Sequence, residues 1–129
     1  MQANRSRDTK PELAVRVRLH AMGLRYRVCA RPLPSVRRSV DIVFGPSKTA
    51  VEVRGCFWHG CPEHFRLPST NTDYWRAKIE RNTARDLDTA ERLAAAGWEL
   101  IVVWEHESVD AAAERIASVV RARRAIRVG

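Results

Sequence analysis

The sequence predicts an α/β fold, a mixed β-sheet flanked by α-helices in the order α-β-β-β-α-β-α. Three observations carry this. Two β-rich runs, `VDIVF` and `TAVEVR`, are joined by `GPSK`, which is turn chemistry and reads as a hairpin from Val40 to Arg54. A long stretch with helical periodicity follows, from about Asp73 to Ala96. After it, `WELIVVW` is almost continuously apolar, the pattern of a strand covered on both faces. With 129 residues and an apolar fraction of 45%, the chain suits one domain with a real core.

The remaining elements follow in order. `RDTKPE` opens the first helix: Thr9 can cap it, Pro11 suits its first turn, and Glu12 stands three residues after Thr9 as in a capping box. Leu13, Val17, Ala21 and Leu24 repeat at helical spacing and predict its buried stripe, and Gly23 ends it. `LRYRVC` is a short strand and `RPLPSVRRS` a loop held by two prolines. In the second arm of the hairpin Glu52 and Arg54 point to one face, because strand side chains alternate. The polar loop `RLPSTNT` leads to the long helix. Ile79, Thr83, Leu87, Ala90 and Ala94 form its expected apolar stripe; Lys78, Asn82 and Asp86 form a second, polar one. Gly97 ends that helix. A last amphipathic helix, about residues 108–125, leads into a basic tail.

Lys and Arg number 23 against 15 Asp and Glu, a formal charge of +8. That balance favours a polyanion as partner, nucleic acid first; the plainer alternative is a merely basic soluble protein. The basic run `RARRAIR` at the end reads as a solvated helix end or tail. No segment has the length and apolarity of a membrane span and no apolar signal core opens the chain, so an intracellular protein is expected. Three cysteines, an odd number, argue against a disulfide framework and leave metal binding or free thiols.

Chemistry concentrates in and beside the hairpin. Asp41 interrupts one strand; Glu52 and Arg54 interrupt the next. An Asp followed on the neighbouring strand by Glu-x-(basic) can hold Mg²⁺ for phosphodiester hydrolysis, since carboxylates supply hard oxygen ligands and a cation steadies the phosphorane charge. The competing reading is a solvent-facing strand side. Just beyond, Cys56, Cys61 and His64, with His106 after the last strand, have the composition of a closed tetrahedral Zn²⁺ site, at a spacing looser than a zinc finger. Against this stands a reading of buried apolar cysteines and surface histidines. Cys29 reads as a core residue, and His20 has no assigned role. His59 can move a proton near neutral pH as ligand or general base, with Asp86 one candidate to orient it, or can be a surface histidine. Phe57, Trp58 and Trp75 lie in or beside polar segments; they can wedge between base pairs, or cover the core or the metal site. Trp98 and Trp104 flank the apolar strand and read as core.

Taken in order, `RDTKPE`, `DIVF`, `GCFWHGCPEH`, `YWRAKIERNTARD` and `GWELIVVWEHE` resemble the very short patch repair (Vsr) endonucleases over about residues 5–107. The resemblance implies a restriction-endonuclease-like core and an enzyme that nicks DNA 5′ to the T of a T:G mismatch left by 5-methylcytosine deamination. It implies that Asp41 binds Mg²⁺ with the backbone carbonyl of Val53, that His59 is the catalytic histidine and Asp86 its partner, and that Glu12 is functional. It further implies that Cys56, Cys61, His64 and His106 hold structural zinc, and that Phe57, Trp58 and Trp75 intercalate. Lys78 and Asn82 join the expected DNA contacts. A cytoplasmic, nucleoid-associated bacterial protein follows, with mismatch-repair proteins as partners by analogy. Two positions depart from the family pattern: Arg54 stands where His or Asp is frequent, and Glu52 where an apolar residue is usual. Together they suggest a more conventional Mg²⁺ site built from Asp41 and Glu52, with Arg54 on the phosphate. Two rivals to T:G nicking stay open: a related nuclease acting on modified or undamaged DNA, and a zinc-stabilised DNA-binding module without catalysis.

Overall fold

The computed structural model describes residues 10–34, 37–56, 61 and 66–128, with side chains as far as residue 125. Within them the element order is α1 (Lys10–Ala21), β1 (Arg27–Ala30), β2 (Val40–Phe44), β3 (Thr49–Arg54), α2 (Thr72–Ala95), β4 (Glu99–Trp104) and α3 (Val109–Val128). The expected order holds. The four strands form one sheet in the order β1-β2-β3-β4, antiparallel as far as β3 and parallel between β3 and β4. The long crossover through α2 is what makes a parallel neighbour possible.

One face of the sheet carries Ile42, Phe44, Val51, Ile101 and Val103, packed with Val15 and Leu19 of α1 and Ala112, Ala113, Ile116 and Val120 of α3. Fully buried side chains such as Leu19 and Ile116 each contribute about 1.5–3 kcal/mol by leaving water. The other face carries Val43 and Ala50 against Leu93 of α2, with Trp98 and Leu100 at its edge.

The helix faces differ from the expected stripes. In α1 the inward residues are Glu12, Val15 and Leu19, whereas Leu13 and Val17 are exposed, at 40% and 66%. The apolar period survives; its phase is set by docking on α3 and the sheet. In α2 the buried residues are Ile79, Thr89 and Leu93, and Leu87 is 61% exposed. The polar stripe Lys78–Asn82–Asp86 is half-buried and flanks that inward face. Helix α2 therefore turns polar chemistry towards the sheet. In β4 only Ile101 and Val103 are buried, so its two faces are unequal. Trp98 and Trp104, expected in the core, are half-buried, and so is Cys29.

The turn at 45–48 is closed by the Lys48 N–H donating to the Gly45 carbonyl at 3.0 Å, with Lys48 at φ +50°. Gly97 ends α2 at φ +83°, a conformation that costs a glycine little. Helix α3 runs on through the stretch expected to be a basic tail. Arg123 donates from Nε to the Ser47 carbonyl and from Nη2 to the Gly97 carbonyl, both at 2.7 Å. A residue of the basic run thus ties the hairpin turn to the end of α2.

Candidate functional site

The site forms where β2 and β3 part. Their pairing runs through Phe44↔Thr49, Val43↔Ala50 and Ile42↔Val51. One step further, at Asp41 and Glu52, the side chain of Asp41 takes over: its Oδ2 accepts the Val53 N–H at 2.7 Å. Exposure changes at the same place, since Thr49, Ala50 and Val51 are buried while Glu52, Val53 and Arg54 are half-buried. On the other side, Arg27↔Val43, Val28↔Ile42 and Ala30↔Val40 leave Cys29 facing Asp41, with Cys29 at φ +48°. Its Sγ lies 3.8 Å from Ser39 Oγ.

Alternation puts Glu52 and Arg54 on the α2 side of the sheet, the side of Ala50. There Glu52 Oε1 accepts from Arg54 Nε at 3.0 Å and from Nη2 at 2.7 Å. Asp86 Oδ2 of α2 approaches Arg54 Nε at 3.8 Å. Beneath the guanidinium is Trp104, whose ring centroid lies 5.9 Å from Arg54 Cζ. Trp104 is thus a platform at the site's edge.

A group of soft donors that could hold a metal ion adjoins this end. The parallel register sets Arg54 beside Trp104, and the Glu105 N–H continues it by donating to the Arg54 carbonyl at 2.9 Å. Two residues past each strand end stand Cys56 and His106, Sγ and Nδ1 3.3 Å apart. Cys61 returns to the pair, its N–H on the Cys56 carbonyl at 2.9 Å and its Sγ 3.8 Å from the same nitrogen. The three donor atoms all lie within 4.8 Å of one another. A tetrahedral ion with zinc–ligand bond lengths separates adjacent sulfur and nitrogen donors by about 3.6–3.8 Å, so the cluster has the size of such a site. Burial, then the neighbouring Cys61 and Glu105, pushes the Cys56 thiol up to about 11. A bound cation reverses that preference by stabilising the thiolate. The Cys56 N–H donates to Glu105 Oε2 at 2.9 Å, which fixes the first ligand's backbone.

Of the other expected site residues, Glu12 is 2% exposed on the inner face of α1 and pairs with Arg16 Nη1 at 3.2 Å. Trp75 is half-buried in the first turn of α2, edge-on to Tyr74 at 5.0 Å. Tyr74, 58% exposed, was not singled out from the sequence, although its place beside Trp75 is the signal that marks it. Phe57, Trp58, His59 and His64 lie outside the described residues, as does Thr9. Among the described residues, the structure brings together Asp41 with the Val53 backbone, Glu52 with Arg54 and Asp86, and Cys56 with Cys61 and His106.

Comparison with known proteins identifies the family. The family profile described as "DNA mismatch endonuclease Vsr" matches residues 1–64. The chain is 47% identical over 122 residues to the type II nicking enzyme V.NaeI of Lentzea aerocolonigenes, covering 93% of this chain and 72% of that protein. It is 45% identical over 111 residues to the type II nicking enzyme V.XorIIP of Xanthomonas oryzae pv. oryzae, covering 85% and 79%. To the DNA mismatch endonuclease Vsr of Escherichia coli it is 35% identical over 106 residues, covering 81% and 66%. Identity of this extent shows that the chain belongs to the Vsr family of DNA endonucleases.

Proposed function

We propose that residues 1–129 act as one endonuclease domain that nicks one strand of duplex DNA at a T:G mismatch, with Mg²⁺ at Asp41 and structural zinc at the cysteine site. The observation that carries this is the contact between Asp41 and the Val53 backbone where the β2–β3 ladder ends. It sets a carboxylate against the Val53 backbone where the ladder ends, which supports reading the Asp41 carboxylate and the Val53 carbonyl as hard ligands. Mg²⁺ suits one or two protein ligands plus phosphate oxygens and water. Bound there, the ion supplies a Lewis acid for the scissile phosphate. The chain's own residues do the rest. Asp41 anchors the cation, His59 moves the proton of the attacking water, and Asp86 on the inward side of α2 orients His59. Glu12, from α1, completes the acidic complement. Glu52 is turned onto Arg54, which favours the Val53 carbonyl over Glu52 as the second metal ligand.

Zinc fits Cys56, Cys61 and His106 by donor type and separation, with His64 as the fourth ligand. In this reading Phe57, Trp58 and Trp75 serve as the wedges that enter the base stack. A wedge costs a few kcal/mol of unstacking per step, less at a mismatch that already stacks poorly. Lys78, Asn82 and the net charge of +8 supply phosphate contacts that offset it.

The names of the relatives favour a second target. Type II nicking enzymes stand beside the mismatch endonuclease among them, so a nicking specificity tied to another sequence or to modified DNA is the runner-up. A panel of duplexes (T:G, other mismatches, methylated, phosphorothioate, perfect), each with Mg²⁺ and with EDTA, separates the two. The expected result is Mg²⁺-dependent nicking of the T-containing strand of T:G. Equal cutting of perfect duplexes would remove the mismatch from the description. Tight, salt-sensitive binding with no cleavage of any member would remove the enzyme reading. Among the described residues no helix is long and apolar enough to cross a membrane; association with mismatch-repair proteins is tested by co-purification.

A further inference from the structure

The proposed reaction leaves Glu52 and Arg54 without a task, yet with Asp86 they form an ionic cluster beside the site. Arg54 lies between two carboxylates from different elements: Glu52 on its own strand, gripped through Nε and Nη2, and Asp86 on α2, 3.8 Å from Nε. Its plane is backed by Trp104. The three side chains are only 12%, 17% and 13% exposed. A guanidinium that contacts phosphate presents a fork to solvent and carries an uncompensated positive charge. This one spends its Nε and Nη2 donors on Glu52, with Asp86 also within 4 Å, so its fork is already engaged by carboxylates. The same geometry suits a different task. Glu52 fixes the guanidinium, and the guanidinium in turn restrains Asp86 of α2. A lysine cannot do this, because an ammonium lacks the planar fork that spans two acids.

We propose that Arg54 is a positioning residue: anchored by Glu52 and stacked on Trp104, it sets the orientation of Asp86, and neither Arg54 nor Glu52 contacts DNA or the catalytic cation. This rests on the reading that Asp86 belongs to the catalytic machinery, and the experiment keeps the two apart. Single-turnover nicking rate, DNA Kd and the salt dependence of Kd are measured for the wild-type chain, R54Q, R54K, E52Q, D86N and R54Q/D86N. The substrate is whichever duplex of the panel the wild-type chain nicks fastest. R54Q is expected to nick about 100-fold more slowly, the loss a displacement of about 1 Å causes. Its Kd at saturating Mg²⁺ and its salt slope stay as in the wild type. E52Q loses rate in the same direction, and R54Q/D86N nicks no more slowly than D86N alone, because both changes remove one arrangement.

A wild-type rate for R54Q at saturating DNA, with weaker binding and a salt slope lower by about 0.9, would make Arg54 a phosphate contact and overturn the proposal. A wild-type rate for E52Q overturns the anchoring. If D86N nicks like the wild type, the reading of Asp86 fails; if D86N is inactive and R54Q fully active, only the role of Arg54 fails. Bound zinc and circular dichroism check folding. Should R54Q not fold, R54K decides: slow nicking with unchanged Kd supports the proposal, and wild-type nicking overturns it.

Discussion

The two ends of the β2–β3 hairpin are built from similar residues and do opposite work. At the turn end the buried hydroxyls are tied to each other and to the backbone. Ser47 and Thr49 are completely buried, with Ser47 Oγ and Thr49 Oγ1 3.0 Å apart, and Arg123 reaches from α3 to the Ser47 carbonyl. At the open end the ladder gives way to a carboxylate on a backbone N–H, and the side chains become half-buried. A closed end can be rigid because its polar groups need only each other. An open end suits the proposed cation site, which needs oxygen atoms that are not consumed by the ladder. Packing at the turn end and along the α1–α3 face carries the stability that such an opening costs.

The largest effect expected from breaking this contrast is at Asp41. Asp41→Ala and Asp41→Asn should both lose nicking by about 10³-fold or more, since the cation's charge stabilisation of several kcal/mol disappears. They should differ in stability. Asn still accepts from the Val53 N–H, whereas Ala leaves that group without the acceptor and costs about 1–3 kcal/mol in denaturant melts. Full nicking by either variant would remove Asp41 from the mechanism. Next comes the metal centre: Cys56→Ser or Cys61→Ser should reduce bound zinc from one per chain, and melting temperature should fall by about 4 °C for each kcal/mol lost. A folded, cleaving sample with no zinc by metal analysis would retire the site.

At the closed end Arg123→Ala is expected to destabilise by about 1–3 kcal/mol, because two carbonyls lose a charged donor, with the nicking rate per folded molecule unchanged. A rate loss equal to that of Arg54→Gln would show that the two ends are coupled. The smallest effect concerns Asp88, which Arg92 and then Arg38 hold below its ordinary range. A depressed carboxylate contributes stability above its unfolded pKa that is lost as pH falls through its folded value. Asp88→Asn should therefore flatten the acid limb of the stability profile slightly and leave neutral pH nearly unchanged, because the group is exposed and screened. A large loss at pH 7 would show that the Arg38 contact anchors β2 more firmly than exposure suggests.

Local chemistry was sufficient for the elements. Gly23 and Gly97 take the positive φ that ends a helix, and `GPSK` closes the hairpin. It was sufficient too for the donor types at Cys56, Cys61 and His106, since thiols and imidazoles bind a soft ion in any fold. Helix phase was not legible. Leu13, Val17 and Leu87 have the right spacing and face solvent, because a period says which residues share a face and not which face meets the sheet. The contacts of Glu52 and Arg54 were hidden for a related reason. Two residues apart on a strand, they read as a metal ligand and a phosphate contact, and only the approach of α2 with Asp86 turned them into an ion cluster. The sequence by itself determined what each residue can donate, accept or bury, which depends on bonded chemistry. Tertiary structure alone decided which groups meet, because the β3–β4 register and the docking of α2 fix distances between residues 50 positions apart, such as Cys56 and His106.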